Sequence, residues 1–179
     1  GLSIKEAFHS MLNGTSEFVN QLAIAITTIV FNRSALLFAG EDGVAAVSII
    51  MYLQFLCIGI YFGFSMGLST PLGYAYGDRN FSVCRVLEKY AYRFFSIAPI
   101  ILYGCTYLLA PIGVRFFASP GSTVFDMAVS GLRLYGLGFL FSGINIFAAI
   151  RMMTYGKGYI SGMITFLRSF ALLLLFLTV

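Results

Sequence analysis

The chain has 179 residues, 59% of them hydrophobic and 10% charged, and a formal net charge of +4. A soluble domain carries roughly 25% charged residues, and a globule of this size cannot enclose so many apolar side chains, so much of the surface must face lipid. The basic residues are scattered between apolar runs rather than gathered into a patch, which argues against a nucleic-acid partner.

In chain order, residues 3–12 read as a short amphipathic helix. Ile4, Ala7, Phe8, Met11 and Leu12 share one face, and Lys5, Glu6, His9 and Ser10 share the other. Ser3 and Glu6 have capping-box spacing. About ten residues are too few to cross a bilayer, so the segment is expected to lie in the interface. Asn13 and Gly14 are expected to end it, with Thr15 or Ser16 capping the next helix. The predicted organisation is an amphipathic connector over residues 1–14 and a transmembrane helical bundle over residues 15–179.

The first predicted span covers residues 17–39, followed by a tight polar turn, Gly40-Glu41-Asp42-Gly43. The second covers residues 44–70, stopped by Pro71 and the glycines at 73 and 77. Residues 78–89, with Arg79, Arg85, Glu88 and Lys89, read as a surface loop leading to a third span over residues 90–117. Ser119-Pro120-Gly121-Ser122 is a turn. The fourth span covers residues 124–150, Gly156-Lys157-Gly158 closes a short loop, and the fifth covers residues 159–179. The fold class is thus all-α, a polytopic bundle of about five spans. Its last apolar run has no polar flank and its first residue is Gly1, so the natural protein is expected to continue beyond both ends.

Charge sets the expected orientation. With the N-terminal helix in the cytoplasm, Lys5, Arg79, Arg85, Lys89, Arg93, Arg151, Lys157 and, if the last helix starts late, Arg168 fall on the cytoplasmic side. Arg33, Arg115 and Arg133 are left outside, with Glu41 and Asp42, which satisfies the positive-inside rule. The cytoplasmic (plasma) membrane is the expected location.

No His/Cys/Asp cluster, phosphate loop, nucleophile elbow or paired-carboxylate motif occurs, so neither an enzyme nor a cofactor or metal is expected. His9 reads as a solvated interfacial residue. Cys57, Cys84 and Cys105 share no ligand spacing and read as buried small hydrophobes. Gly59, Gly63 and Gly67 repeat every four residues, a stripe that suits close helix packing and equally suits sliding between helices.

Polar residues within the spans say more, because lipid penalises them. Glu17 has two readings: an acid hydrated at a helix N-terminus, or a cation or proton site facing a cavity. Asn20, Gln21, Thr27, Thr28 and Asn32 extend a polar track along the same helix. Gln54 and Asn145 are the other deep amides, either binding helices together or contacting substrate. Arg33 and Arg133 lie close enough to helix ends to snorkel.

The run Gly40-Glu41-Asp42-Gly43-Val44-Ala45-Ala46, then Gly63-Phe64-Ser65-Met66-Gly67-Leu68-Ser69-Thr70-Pro71-Leu72-Gly73-Tyr74-Ala75-Tyr76-Gly77, resembles the multidrug and toxic compound extrusion (MATE) family. Asn32 with Leu36, Leu132-Arg133, Gly156-Lys157 and Phe166-Leu167-Arg168 fit the same pattern. Order and spacing together carry the resemblance over nearly the whole chain, as the connector and five helices of a C-terminal half.

The resemblance implies a twelve-helix protein of two lobes around a central cavity. Such proteins exchange drugs or other cationic and amphipathic solutes against Na⁺ or H⁺. The implied partners are the bilayer, a small-molecule substrate, the coupling ion and a missing N-terminal lobe. Some branches of the family carry an acid within this half's first helix and another within its fourth. Here Ile24-Ala25-Ile26-Thr27-Thr28 and Phe141-Ser142-Gly143-Ile144-Asn145 hold none, so coupling falls to Glu17 or to the other half. The candidate contacts are Glu17, Asn20, Gln21, Gln54 and Asn145. Two rival readings stand beside the antiporter: a lipid-linked oligosaccharide or precursor flippase, which needs a cationic cavity, and a non-transporting membrane scaffold.

Overall fold

The computed structural model describes residues 4–166; side chains before residue 18, and those at 19, 20, 23, 159 and 164–166, lie outside the described residues. The first helix, α1 (Ile4–Gly77), has 74 residues. Straight, it would measure about 111 Å at 1.5 Å per residue, against a hydrocarbon core of ~30 Å. It breaks at Gly40, where φ is 63° and ψ is −152°, a left-handed conformation that glycine adopts without steric cost. Past the break, Gly43 lies so close to Ala35 that a Cβ would stand 2.7 Å from the Ala35 carbonyl oxygen. The turn therefore hinges on Gly40 alone, with residues 41–43 already helical.

Then follow α2 (Phe81–Arg115), α3 (Thr123–Tyr135), a 3₁₀ turn (Gly136–Gly138), α4 (Phe139–Thr154) and α5 (Gly158–Phe166). Among the described residues three helices are long and apolar enough to cross a membrane: Ile24–Gly77, Phe81–Arg115 and Thr123–Thr154. The first of these contains the Gly40 break and supplies two arms. The expected polytopic all-α bundle is what forms.

Three boundaries differ from expectation. Helical backbone runs through Asn13, Gly14, Thr15 and Ser16 without a stop; one Asn and one Gly cost about 1 kcal/mol or less each in a helix interior. The second arm continues past Pro71 to Gly77. Proline removes the donor for the carbonyl of residue 67 and crowds it, but Gly67 is exposed and has nothing near its Cβ position, so the ring fits. Finally, residues 81–89 are not a loop but the first turns of α2, capped by the Asn80 side chain, which accepts from Val83 N–H at 3.3 Å. Ser3, the side chains of Glu6 and His9, Arg168 and the part of the last span beyond Phe166 fall outside the described residues.

The described core lies between residues 41–77, α2, α3 and α4, in three patches along the bundle. At one end Ile49, Ala110, Val114, Val129 and Leu132 interlock. In the middle Tyr61, Phe95, Phe139, Ile146 and Phe147 pack together. At the other end Leu72, Ala75 and Cys84 meet Leu87 and Tyr155. Lipid tails are as apolar as these side chains, so close packing rather than water exclusion holds the helices together. Ring contacts do much of this: Phe64 stacks on Phe94 at 3.8 Å between centroids, and Phe95 on Phe147 at 5.4 Å. Of the cysteines, Cys84 is buried as expected, Cys57 is half-buried, and Cys105 is exposed on the outer side of α2.

Candidate functional site

The second arm presents two opposed faces. Gln54, Cys57, Tyr61 and Ser65 recur at helical spacing and form a polar stripe turned into the bundle. Gln54 lies beside the Tyr135 side chain and interacts with its hydroxyl. The Cys57 sulfur is 3.6 Å from Thr106 Oγ1. The fully buried Tyr61 donates its hydroxyl to the Phe139 carbonyl at 3.1 Å, while the buried Ser65 hydroxyl has no partner among the described residues.

On the far side, at roughly 180° by helical rotation, lie Gly59, Gly63 and Gly67. Among the described residues, none has a side chain or a neighbouring helix within 4 Å of its Cβ position. Tyr52, Phe55, Leu56, Met66 and Tyr74 flank them and are exposed. The glycine stripe therefore packs against none of the described helices.

Tyr61 holds the 3₁₀ turn, where the rod from Thr123 to Thr154 changes its hydrogen-bond register. Short 3₁₀ stretches within a helix often mark hinges. Nearby, Gly143 allows a close approach: a Cβ there would stand 2.8 Å from Phe95 Cδ1 and 3.2 Å from Tyr61 Cε1.

Arg133 has a specific partner. Pro111 lacks the N–H that the Tyr107 carbonyl would accept in a regular helix; Arg133 Nε donates to that carbonyl instead at 3.2 Å, with its guanidinium 4.7 Å over the Tyr107 ring.

A polar cluster joins α2 to the end of α4. Glu88 Oε1 accepts the Tyr155 hydroxyl at 2.5 Å and lies 2.6 Å from Arg151 Nε. The Nε–H is not aligned for a hydrogen bond, so the Arg151–Glu88 contact is an ion pair. Arg151 Nη1 donates to the Tyr92 hydroxyl at 3.1 Å, and Tyr76 packs on Tyr155 at 4.4 Å between centroids. Burial first, and then the hydrogen bond to the Glu88 carboxylate, push the Tyr155 hydroxyl up to about 12. Beside the cluster, Arg85, Lys89 and Arg93 line a shallow open recess of about 410 Å³.

The sequence candidates are spread over separate elements. Gln54 sits on the inward stripe against Tyr135. Asn145 is half-buried on α4, turned away from the face that Phe139, Gly143 and Ile146 bury. Gln21 is exposed on the arm before Gly40. The side chains of Glu17 and Asn20 lie outside the described residues. Asn32, on the same arm, has an enclosed Oδ1 with no hydrogen-bond partner among the described residues.

The Glu88–Arg151–Tyr155 cluster is not among the sequence candidates, because a loop over residues 78–89 leaves Glu88 without a helical partner and Arg151 signals only topology. The Asn80 cap was the available clue, since it starts α2 early enough to make Glu88 helical.

A family model described as MatE matches residues 4–178. No curated protein and no solved structure gives a significant match.

Proposed function

The chain belongs to the MatE family of membrane transporters, and from that premise we propose that it forms part of a Na⁺- or H⁺-coupled antiporter exporting drugs or other amphipathic and cationic solutes. The observation that carries this reading is the uncovered Gly59–Gly63–Gly67 face, flanked by exposed Tyr52, Phe55 and Met66. Small residues allow another helix surface to approach and slide. Aromatic rings and Met accommodate varied apolar cations. In this proposal the face looks onto a cavity shared with a second lobe, and the 3₁₀ turn at Gly136–Gly138 supplies the hinge.

Glu17, Asn20, Gln21, Gln54 and Asn145 remain the proposed polar contacts. Gln54 would act from inside the lobe through Tyr135, being opposed to the glycine face. Residues 1–14 serve as the interfacial connector on the cytoplasmic side of the plasma membrane, and residues 15–179 form the membrane-embedded part of the lobe. The flippase reading finds less support: Arg133, one of the few cations near a span interior, is already held by Tyr107.

The test is ethidium uptake by the full-length protein in proteoliposomes under an imposed Na⁺ or pH gradient. Gradient-dependent uptake is expected, and its loss in Glu17→Gln would assign the coupling to Glu17. Uptake indifferent to both gradients defeats the antiporter reading, whereas a fully active Glu17→Gln variant removes only the role of Glu17.

A further inference from the structure

One surface of α2 changes character along its length. Arg85, Lys89 and Arg93 recur every fourth residue and form a stripe about 12 Å long. Ser96, Ile97 and Ile100 continue on the same side, and both isoleucines are exposed. The charge-free run 94–114 measures about 31 Å at 1.5 Å per residue, which matches the hydrocarbon thickness of ~30 Å. A bilayer that takes up this run would place Arg93 at the boundary of its hydrocarbon and Arg85 and Lys89 at headgroup level.

Charge in the recess is not balanced. Its one carboxylate, Glu88, already pairs with Arg151 and accepts the Tyr155 hydroxyl. Arg85, Lys89 and Arg93 are exposed, and no salt bridge to any of them occurs among the described residues. Next to them the Tyr92 ring and Ile97 offer apolar wall.

We infer that this recess binds an anionic phospholipid, with its phosphate on Arg85, Lys89 and Arg93 and an acyl chain lying along Ile97 and Ile100. A soluble anion would use the cations but not the apolar continuation; a zwitterionic lipid would use the apolar wall and leave the positive charge unmatched. Charge complementarity and the position of the stripe at the hydrocarbon boundary both select the anionic lipid. The occupied site would lie directly against the Glu88–Arg151–Tyr155 cluster, since Glu88 and Tyr92 belong to both.

Native mass spectrometry of the full-length protein tests this after extraction from vesicles of equal parts phosphatidylcholine and phosphatidylglycerol. The protein should retain phosphatidylglycerol in preference. The triple variant Arg85→Gln/Lys89→Gln/Arg93→Gln should lower that preference at least about fivefold, the factor expected from one cation near an anionic surface. Arg79→Gln/Lys157→Gln, which removes cations outside the recess, should leave it unchanged. An undiminished preference in the triple variant overturns the site, as does an equal loss in the Arg79/Lys157 control. Displacement of the lipid by inorganic phosphate would replace the lipid site with a simple anion site.

Discussion

Glu88 on α2 and Arg151 on α4 form an ion pair 2.6 Å long, with only 15% and 27% of their side chains exposed. The carboxylate is the more enclosed partner and also accepts the Tyr155 hydroxyl, so the charge on α2 organises the end of α4. Removing one partner leaves the other charge partly desolvated. Glu88→Gln should destabilise the bundle by about 1–2 kcal/mol, less than for a fully buried pair because Arg151 still reaches solvent. A double-mutant cycle with Arg151→Gln, read by thermal unfolding, should give a coupling of about 1 kcal/mol. Purely additive losses would make the pair passive.

Tyr155 links that cluster to pH. Its hydroxyl is pushed up from 10.0 to about 12. A group whose folded value is raised contributes fully below its unfolded value and loses its contribution as pH rises through the folded one. Stability from this residue should therefore be constant up to about pH 10 and fall between about pH 10 and 12. Melting scans and tyrosinate absorbance across that window measure it. Tyr155→Phe should flatten that part of the alkaline decline; an identical decline in both proteins would detach the effect from Tyr155.

The spans were legible because runs of about 20 apolar residues admit few other structures. Their ends were less so, for two separate reasons. Pro71 reads as a stop unless the absence of neighbours at Gly67 is known, and that is a tertiary fact. Residues 78–89 read as a loop by their polarity, although Arg85, Glu88 and Lys89 are good helix formers. Helical arithmetic alone puts Gln54 opposite the glycine stripe, but not which of the two faces packs inward. Glu88 and Arg151 lie far apart in sequence, so only the folded bundle brings them together.

Both turns between helices at this end use the same backbone device. Asn80 N–H reaches the Ala75 carbonyl at 2.9 Å and Arg79 N–H reaches Tyr76; Lys157 N–H reaches Met152 at 2.9 Å and Gly156 N–H reaches Met153. These are Schellman closures, with the left-handed position filled by Arg79 at φ 55° in one and Gly156 at φ 71° in the other. The left-handed conformation costs a side-chain-bearing residue about 1 kcal/mol. Gly156→Ala should therefore destabilise by about 1 kcal/mol, and Arg79→Gly should be neutral or slightly stabilising. Paired denaturation midpoints check this; equal losses in the two variants would point to side-chain contacts instead of backbone strain.

The glycines separate packing from function. Gly143 faces Phe95 and Tyr61, both buried, and an added methyl would stand 2.8 Å from one ring. The neighbouring rings are themselves packed, so little relaxation is available, and Gly143→Ala should cost about 1–3 kcal/mol by overpacking. Among the described residues, nothing lies within 4 Å of the Gly63 Cβ position. There Ala should improve helix propensity by up to about 1 kcal/mol, leaving the unfolding midpoint unchanged or raised. In the full-length protein the same Gly63→Ala change should slow ethidium transport if that face meets a moving surface across a cavity. Thermal stability and proteoliposome flux, measured on both variants, distinguish the two roles. A Gly63→Ala protein with wild-type flux would leave the glycine face as ordinary lipid-exposed surface, and the proposed sliding contact would have to lie elsewhere.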